Sequence, residues 1–179
     1  MNKIKSSIFM LLTALTATGV LAAESSQPFC GNSNPEQAKD LNNFTTVLYQ
    51  IVSGKAQSKR DWQLMRDLFS PEGQVTPVFN DNKGHKIRKL TIDEFIELNK
   101  VVFADVDFFE TEVNSKVYQF GNSATIISQY ESRDALDSAP YSTGVNSFQL
   151  VNDGNRWCVI SVTWDSDKGL YPSNHFVVK

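Results

Sequence analysis

The sequence has few of the residues on which metal sites depend. Its two histidines, His85 and His175, lie far apart in the chain, and its two cysteines, Cys30 and Cys158, do not form a Cys-x-x-Cys motif. Zinc ligands in proteins usually recur at short intervals, and neither pair has such a spacing. We therefore predict no metal site.

Motifs for nucleotide cofactors and for nucleic acid are also lacking. The chain has no G-x-G-x-x-G, no P-loop and no G-x-S-x-G, so it offers neither a phosphate-binding loop nor a hydrolase nucleophile elbow. Lys and Arg number 17 against 20 Asp and Glu, which leaves a formal net charge of -3. A protein that neutralises phosphates needs an excess of positive charge. We expect no cofactor and no nucleic-acid partner.

The most apolar run of the sequence lies near its beginning. Lys3 and Lys5 precede an apolar run from Ile8 to Ala23, which ends in small residues before a polar segment. This order is typical of a secretory signal peptide, and the run is shorter than the roughly 20 apolar residues of a spanning helix. We predict a signal peptide over residues 1–23, a periplasmic or secreted protein, and no membrane association after cleavage. The alternative is an uncleaved membrane anchor.

Export bears on the two cysteines. An exported protein meets an oxidising environment, in which Cys30 and Cys158 can close a disulfide. The alternative is two unpaired thiols, with Cys158 acting as a small hydrophobic residue of the core. The sequence leaves both open.

Hydrophobic residues make up 41% of the chain, which is typical of an ordinary globular domain. We assign residues 24–34 to a polar leader, 35–166 to one domain and 167–179 to a C-terminal tail. The domain begins with helical patterns. The first starts at Asn34-Pro35 and stops at Gly54, and the second covers residues 59–69. A third starts at Thr91, which forms a capping box with Glu94.

The second half of the domain changes to a period of two, which is typical of strands. A short hairpin is predicted around residues 80–84, and four longer strands at about 107–120, 123–134, 143–151 and 156–165. Gly121-Asn122 and Asp153-Gly154 supply tight turns between neighbouring strands. Helices first and an antiparallel sheet afterwards indicate an α+β fold in which the helices cover one face of the sheet.

Alternation along each strand predicts which side chains face the helices. The inward sets that it predicts are Phe109, Val113 and Val117, then Ile126, Ser128 and Tyr130, then Asn146, Phe148 and Leu150, and finally Cys158, Ile160, Val162 and Trp164. The alternative for the second strand places Glu131 and Arg133 inside as a buried charged pair, which is energetically costly unless the two charges pair well.

The order of these elements resembles a known superfamily. The closing segment GVNSFQLVNDGNRWCVISVTWD at residues 144–165 is its most specific part, and YESR at residues 130–133 is similar to a subset of exported bacterial proteins without a settled function. The sequence resembles the SnoaL-like, nuclear-transport-factor-type proteins over residues 35–166. The resemblance implies a cone-shaped α+β barrel of the cystatin-like type, with a curved antiparallel sheet around three N-terminal helices, a pocket at the open end and often a dimer.

This fold hosts several functions, so it does not by itself name one. We expect an exported protein that binds a small, largely apolar molecule in the cone. The residues expected to line that site are Tyr49, Trp62, Tyr130, Asn146 and Trp164. One alternative is an acid–base enzyme of the isomerase or dehydratase kind, with Asp165 or His85 as base and Tyr130 as hydrogen-bond donor. No carboxylate is expected in the middle of an inner strand.

Another alternative is a non-catalytic interaction protein whose cone is filled by its own side chains. On the outer face of the sheet, a polar stripe would then be the working surface. We expect this stripe either to form the interface of a homodimer or to remain solvated. The residues predicted for the interface are Gln129, Glu131, Arg133, Ser147 and Gln149.

Overall fold

The computed structural model describes residues 27–81 and 84–166. Within these ranges a 3₁₀ turn precedes three α-helices and seven β-strands. In chain order the elements are the turn Glu36–Ala38, α1 Leu41–Val52, α2 Trp62–Leu68, β1 Phe69–Asp81, β2 Gly84–Ile87, β3 Leu90–Thr91, α3 Ile92–Asp105, β4 Phe109–Phe120, β5 Ser123–Arg133, β6 Ser142–Asn152 and β7 Trp157–Ser166. The predicted signal peptide, residues 1–23, and the predicted tail, residues 167–179, lie outside the described residues.

The helix ends show how local sequence sets the boundaries. The capping box at α3 is confirmed, since the Thr91 side chain accepts from the backbone N–H of Glu94 and the Glu94 side chain accepts from that of Thr91. The predicted start of the first helix at Asn34 is wrong. Asp40 caps α1 instead, its carboxylate accepting from Asn42 N at 2.9 Å, and the segment before it forms only the 3₁₀ turn.

The sheet follows the order β2-β1-β7-β6-β5-β4, with β3 paired to β1. The four predicted long strands are confirmed as an antiparallel meander, and its tight turns contain Gly121 and Gly154 with positive φ. The expectation of a wholly antiparallel sheet needs one correction, because β1 pairs parallel to β7. A parallel pair requires a long crossover, which the chain between β1 and β7 supplies.

Two β-bulges change which side chains face the helices. In β4 the register shifts between Glu112 and Asn114, and Val113 is exposed rather than inward. In β7 the partners of Gln149 and Leu150 are Ser161 and Val159, so Ile160 is the extra residue. The predictions that Phe109, Val113, Cys158 and Ile160 pack on the helices are wrong, because an inserted residue reverses the alternation on one side of it.

The core lies between the helices and one face of the sheet. Its fully buried members include Phe44, Leu68, Ile96 and Ile126, which come from each of the three helices and from β5. Val159, Val162 and Trp164 of β7 also pack there. The predicted inward positions of β5 and β6 are confirmed, and the alternative with Glu131 and Arg133 inside is therefore wrong.

A disulfide ties the N-terminal segment to the last strand. Cys30 and Cys158 are bonded, with their Cα atoms 5.6 Å apart. Beside the bond, Asp153 Oδ2 accepts from Cys30 N at 3.1 Å, and the buried Arg156 guanidinium donates to the Cys30 carbonyl. Cys158 is fully buried although it lies on the face of the sheet away from the helices. Its burial there explains why it fits the apolar pattern of strand β7.

None of the helices in the described ranges is both long and apolar enough to cross a bilayer.

Candidate functional site

A cavity of about 160 Å³ lies between the helices and the inner face of the sheet, partly open to solvent. The three helices form one wall, and strands β1, β4, β5, β6 and β7 form the other. Most of its surface is aromatic or aliphatic. The aromatic lining residues are Tyr49, Phe69, Phe95, Phe103, Phe108, Tyr130, Phe148 and Trp164. The site is therefore an apolar pocket with a small number of polar groups, which is the usual composition of a small-molecule site.

The structure brings most of the predicted ligand-binding residues to this cavity. Tyr49, Tyr130, Asn146 and Trp164 all line it. Trp62 does not, because its ring stacks behind that of Phe103, with the centroids 6.3 Å apart. Trp62 thus supports the wall of the cavity without forming its surface.

The proposed bases are placed differently. Asp165 neighbours the inward Trp164 and therefore faces the other side of the sheet, where its carboxylate accepts from Ser166 N. The structure does not bring it to the cavity. The backbone of His85 pairs with Asn80 in the β1–β2 hairpin, and its side chain lies outside what the structure describes. Of the two candidates whose side chains the structure describes, Tyr130 lines the cavity.

Glu110 is the carboxylate that the sequence reasoning missed. It lies at the start of β4, opposite Ser132 of β5, and among the described lining residues it is the one charged side chain. Burial raises its pKa to about 7, although a hydrogen bond from Ser132 Oγ, 3.1 Å from Glu110 Oε1, acts in the opposite direction. The sequence predicts no carboxylate in the middle of an inner strand, and Glu110 instead reaches the cavity from the start of one.

A second missed carboxylate, Glu112, anchors a chain of hydrogen bonds behind the cavity wall. Its Oε1 accepts from Ser128 Oγ at 2.6 Å and from Thr45 Oγ1 at 2.7 Å. Because the single hydroxyl proton of Ser128 goes to Glu112, the Tyr49 hydroxyl donates to Ser128 Oγ across 2.7 Å and accepts from Asn146 Nδ2 at 2.8 Å. This chain fixes Tyr49 and Asn146 where they line the cavity.

A signal for Glu112 was present in the sequence. Ser128 and Asn146 were both expected on the inner face, and buried hydroxyl and amide groups are almost always hydrogen-bonded. They needed polar partners on a neighbouring strand or helix, and β4 carries two glutamates. When the faces of strand β4 are assigned from apolar alternation alone, those glutamates fall on the outer face instead of the inner face.

Replacing Tyr49 with Phe tests the chain of hydrogen bonds from Glu112 to Asn146. The substitution leaves Asn146 Nδ2 without its acceptor and Ser128 Oγ without its donor in a buried setting. We expect the free energy of unfolding to fall by about 1–3 kcal/mol, measured by urea denaturation. The control Tyr118→Phe removes an exposed hydroxyl from the outer face and should change it by less than about 0.5 kcal/mol. Equal effects of the two substitutions would contradict the network.

Gly144 sets the position of Tyr130. The two residues pair across β5 and β6, and a Cβ at position 144 would stand 2.4 Å from Tyr130 Oη and 2.6 Å from the carbonyl oxygen of Asp165. Any side chain there would push the tyrosine ring out of place. The absence of a Cβ therefore allows the Tyr130 ring to lie across β6 at the cavity.

Burial also affects the tyrosines around Glu110. It raises the pKa of Tyr49, whose hydrogen bonds with Ser128 and Asn146 act in the opposite direction. Burial also raises the pKa of Tyr141, and the nearby charge of Glu110 raises it further. Both hydroxyls thus stay protonated, and hence able to donate, throughout the neutral range.

The residues predicted for the dimer interface lie together on the outer face. They are half-buried within the single chain. Glu131 and Arg133 form an ion pair with each other, Arg133 Nε also donates to the Ser138 carbonyl at 3.0 Å, and Gln149 accepts from Thr125. Strand pairing places Ser147 beside Ile127, and Gln129 beside Val145. The stripe is thus an ordered polar surface.

Over residues 27–81 and 84–166, no three His, Cys, Asp or Glu side chains come together as metal ligands would.

Three solved structures with this architecture have low sequence identity to this chain. A cystatin-like protein of unknown function from Nostoc punctiforme superposes with a TM-score of 0.55 and 13% identity, covering 76% of this chain and 92% of that one. A proposed dehydratase of the NTF2-like family from Streptomyces avermitilis gives 0.50 and 12%, with 68% and 88% covered. The β subunit of a proposed aromatic-ring-hydroxylating dioxygenase from Novosphingobium aromaticivorans gives 0.51 and 12%, with 70% and 85% covered.

No protein-family model and no curated protein sequence matches this chain. At these identities the structural likenesses establish the fold. The chain has the cystatin-like, NTF2-like cone fold, as the sequence resemblance implied.

Proposed function

We propose that the protein binds a small, largely apolar molecule in the cone cavity. The observation that carries this proposal is the cavity itself, with its aromatic lining and the polar groups of Glu110, Tyr130 and Asn146. An open cavity also argues against the alternative in which the cone is filled by its own side chains.

The volume limits the size of the molecule. An apolar protein cavity of about 150 Å³ is large enough for one benzene ring. The cavity here is of similar size, about 160 Å³, and falls below the range of roughly 300–1,000 Å³ typical of drug-sized ligands. We therefore assign it a ligand with a single ring or a short alkyl chain.

Filling the cavity should abolish binding without unfolding the protein. Val162 lines the cavity, so Val162→Phe would place a ring where the ligand is proposed to lie. We expect toluene to raise the melting temperature of the parent protein, and to raise it by much less in Val162→Phe. Differential scanning calorimetry at increasing toluene concentration measures both.

The matched control is Val113→Phe, which makes the same change at an exposed position outside the cavity. It should respond to toluene as the parent does. A toluene response that survives in Val162→Phe, or that is absent from the parent, would contradict binding in this cavity.

A second candidate function is acid–base catalysis, and Glu110 favours it. A general acid or base works best with a pKa near the working pH, and that of Glu110 is raised by burial to about 7. Tyr130 lines the same cavity and could donate a hydrogen bond to a substrate. The proposed dehydratase with this fold adds support by analogy only.

Export and dimerisation belong to the same proposal. The Cys30–Cys158 disulfide supports a periplasmic or secreted location, because disulfides persist mainly in oxidising compartments.

The ordered polar stripe on the outer face, which includes Gln129, Glu131 and Arg133, supports a homodimer formed through the sheet.

A further inference from the structure

The cavity combines one carboxyl group with many aromatic rings. Glu110 Oε1 accepts from Ser132, and among the described residues no Lys or Arg forms an ion pair with this carboxylate. The rings of Tyr49, Tyr130 and Phe108 line the same cavity. A buried carboxylate without a cationic partner is costly, so a ligand that supplied the missing charge would be favoured.

We propose that the ligand is a small organic cation, a protonated amine carried on a single ring or a short alkyl chain. This inference rests on the proposed binding function and names its ligand class. The ammonium group would lie beside the Glu110 carboxylate and donate to it, and the apolar part would pack against the aromatic lining. Charge-assisted hydrogen bonds are about twice as strong as neutral ones, and aromatic faces attract cations.

Other ligand classes fit the cavity less well. An anion would meet the negative charge of Glu110 in a desolvated site, where like charges repel strongly. A neutral hydrocarbon would fill the apolar space but leave Glu110 with Ser132 as its hydrogen-bond partner and without a cation. A neutral alcohol could hydrogen-bond to Glu110, yet it would not balance the charge. Hence we expect an amine to bind more tightly than an alcohol of the same shape.

The groups around Glu110 permit this assignment. Tyr49 from α1 and Tyr141 from the β5–β6 connection have raised pKa values and stay neutral, and Glu112 is a second acidic side chain on the same strand. The cation of Arg60 lies elsewhere. Its guanidinium stands 4.4 Å from the Phe103 ring centroid and donates to backbone carbonyls of Val52 and Gly54. Asp107, rather than Glu110, is the carboxylate whose charge acts on it.

Proton linkage predicts a specific pH dependence for the binding of an amine. An ammonium ion needs Glu110 ionised, whereas burial keeps that carboxyl protonated below its raised pKa of about 7. Amine affinity should therefore increase by about tenfold per pH unit as the pH rises toward 7, and then level off. A neutral ligand of the same shape takes up no charge in the cavity and should show no such rise.

The experiment is isothermal titration calorimetry with benzylamine, benzyl alcohol and toluene at about pH 5.5 and about pH 8. We expect benzylamine to bind at least about tenfold more tightly at the higher pH and to bind more tightly there than benzyl alcohol. In Glu110→Gln, benzylamine should lose at least tenfold in affinity while toluene keeps its affinity. Glu72→Gln, which removes an exposed carboxylate, is the matched control.

The possible results distinguish a failure of the amine assignment from a failure of the proposed binding function. If benzylamine binds no better than benzyl alcohol, or keeps its affinity in Glu110→Gln, the amine assignment is overturned while toluene binding still supports the cavity. If none of the three compounds binds, the proposed function fails together with the assignment. The pH dependence in the parent protein tests the amine assignment even if Glu110→Gln does not fold.

Discussion

Replacing both Cys30 and Cys158 with alanine is expected to lower the free energy of unfolding by about 5 kcal/mol. The bond joins residues 128 positions apart, so it restricts a long loop of the unfolded chain. In the chain-entropy model a loop of that length gives about 5 kcal/mol at 25 °C. Urea denaturation of the oxidised parent and the double variant measures the difference. Because a domain of this kind has roughly 5–15 kcal/mol in total, the variant should be marginal.

The reduced parent protein is the matching control, because it lacks the bond but keeps both side chains. It should unfold at nearly the same urea concentration as the double variant. A difference below about 1 kcal/mol between oxidised and reduced protein would contradict the role assigned to this bond.

The second large effect concerns Glu110 and pH. Its carboxyl group has an ordinary pKa of 4.5 when unfolded, and burial raises this to about 7 in the folded protein. Between these values the folded state holds a proton that the unfolded state has lost, so stability falls as the pH rises from 4.5 to 7. The fall amounts to about 3 kcal/mol and is complete above pH 7. Urea denaturation at a series of pH values measures it.

Glu110→Gln removes this dependence while keeping the shape of the side chain. Near pH 4.5 the variant and the parent should have similar stability, since both side chains are then neutral. Above pH 7 the variant should be more stable by about 3 kcal/mol. Asp165→Asn on the outer face is the control and should follow the parent through this range. A stability difference between Glu110→Gln and the parent that does not grow with pH would contradict a buried, proton-binding Glu110.

Features fixed by a few neighbouring residues could be predicted from the sequence. The capping box of Thr91 and Glu94 and the turns at Gly121 and Gly154 depend on chemistry within a few positions of the chain. The four long strands followed from alternation over many residues. Bulges and long-range pairing were not predictable in this way. Whether Val113 bulges depends on its partners in β5, which are distant in sequence.

The contrast between regular local patterns and long-range strand pairing also explains which site residues could be predicted from the sequence. Tyr130 and Asn146 were placed in the cavity because alternation in β5 and β6 is regular from end to end. Glu110 and Glu112 were missed because the bulge at Val113 moves the inward positions of β4 onto the glutamates. A carboxyl group on an inner strand also runs against the rule that charged residues face water. The exception is tolerated here because hydroxyl groups such as Ser128 and Ser132 donate to the two carboxylates.

The cavity as a binding site is the central claim, and a methyl NMR titration tests it most directly. Toluene is added to protein labelled at the methyl groups of valine and leucine. We predict shifts at Leu48, Val52, Val75 and Val162, which line the cavity, and none at the exposed Val101. Shifts confined to exposed methyl groups, or no shifts at all, would contradict the claim.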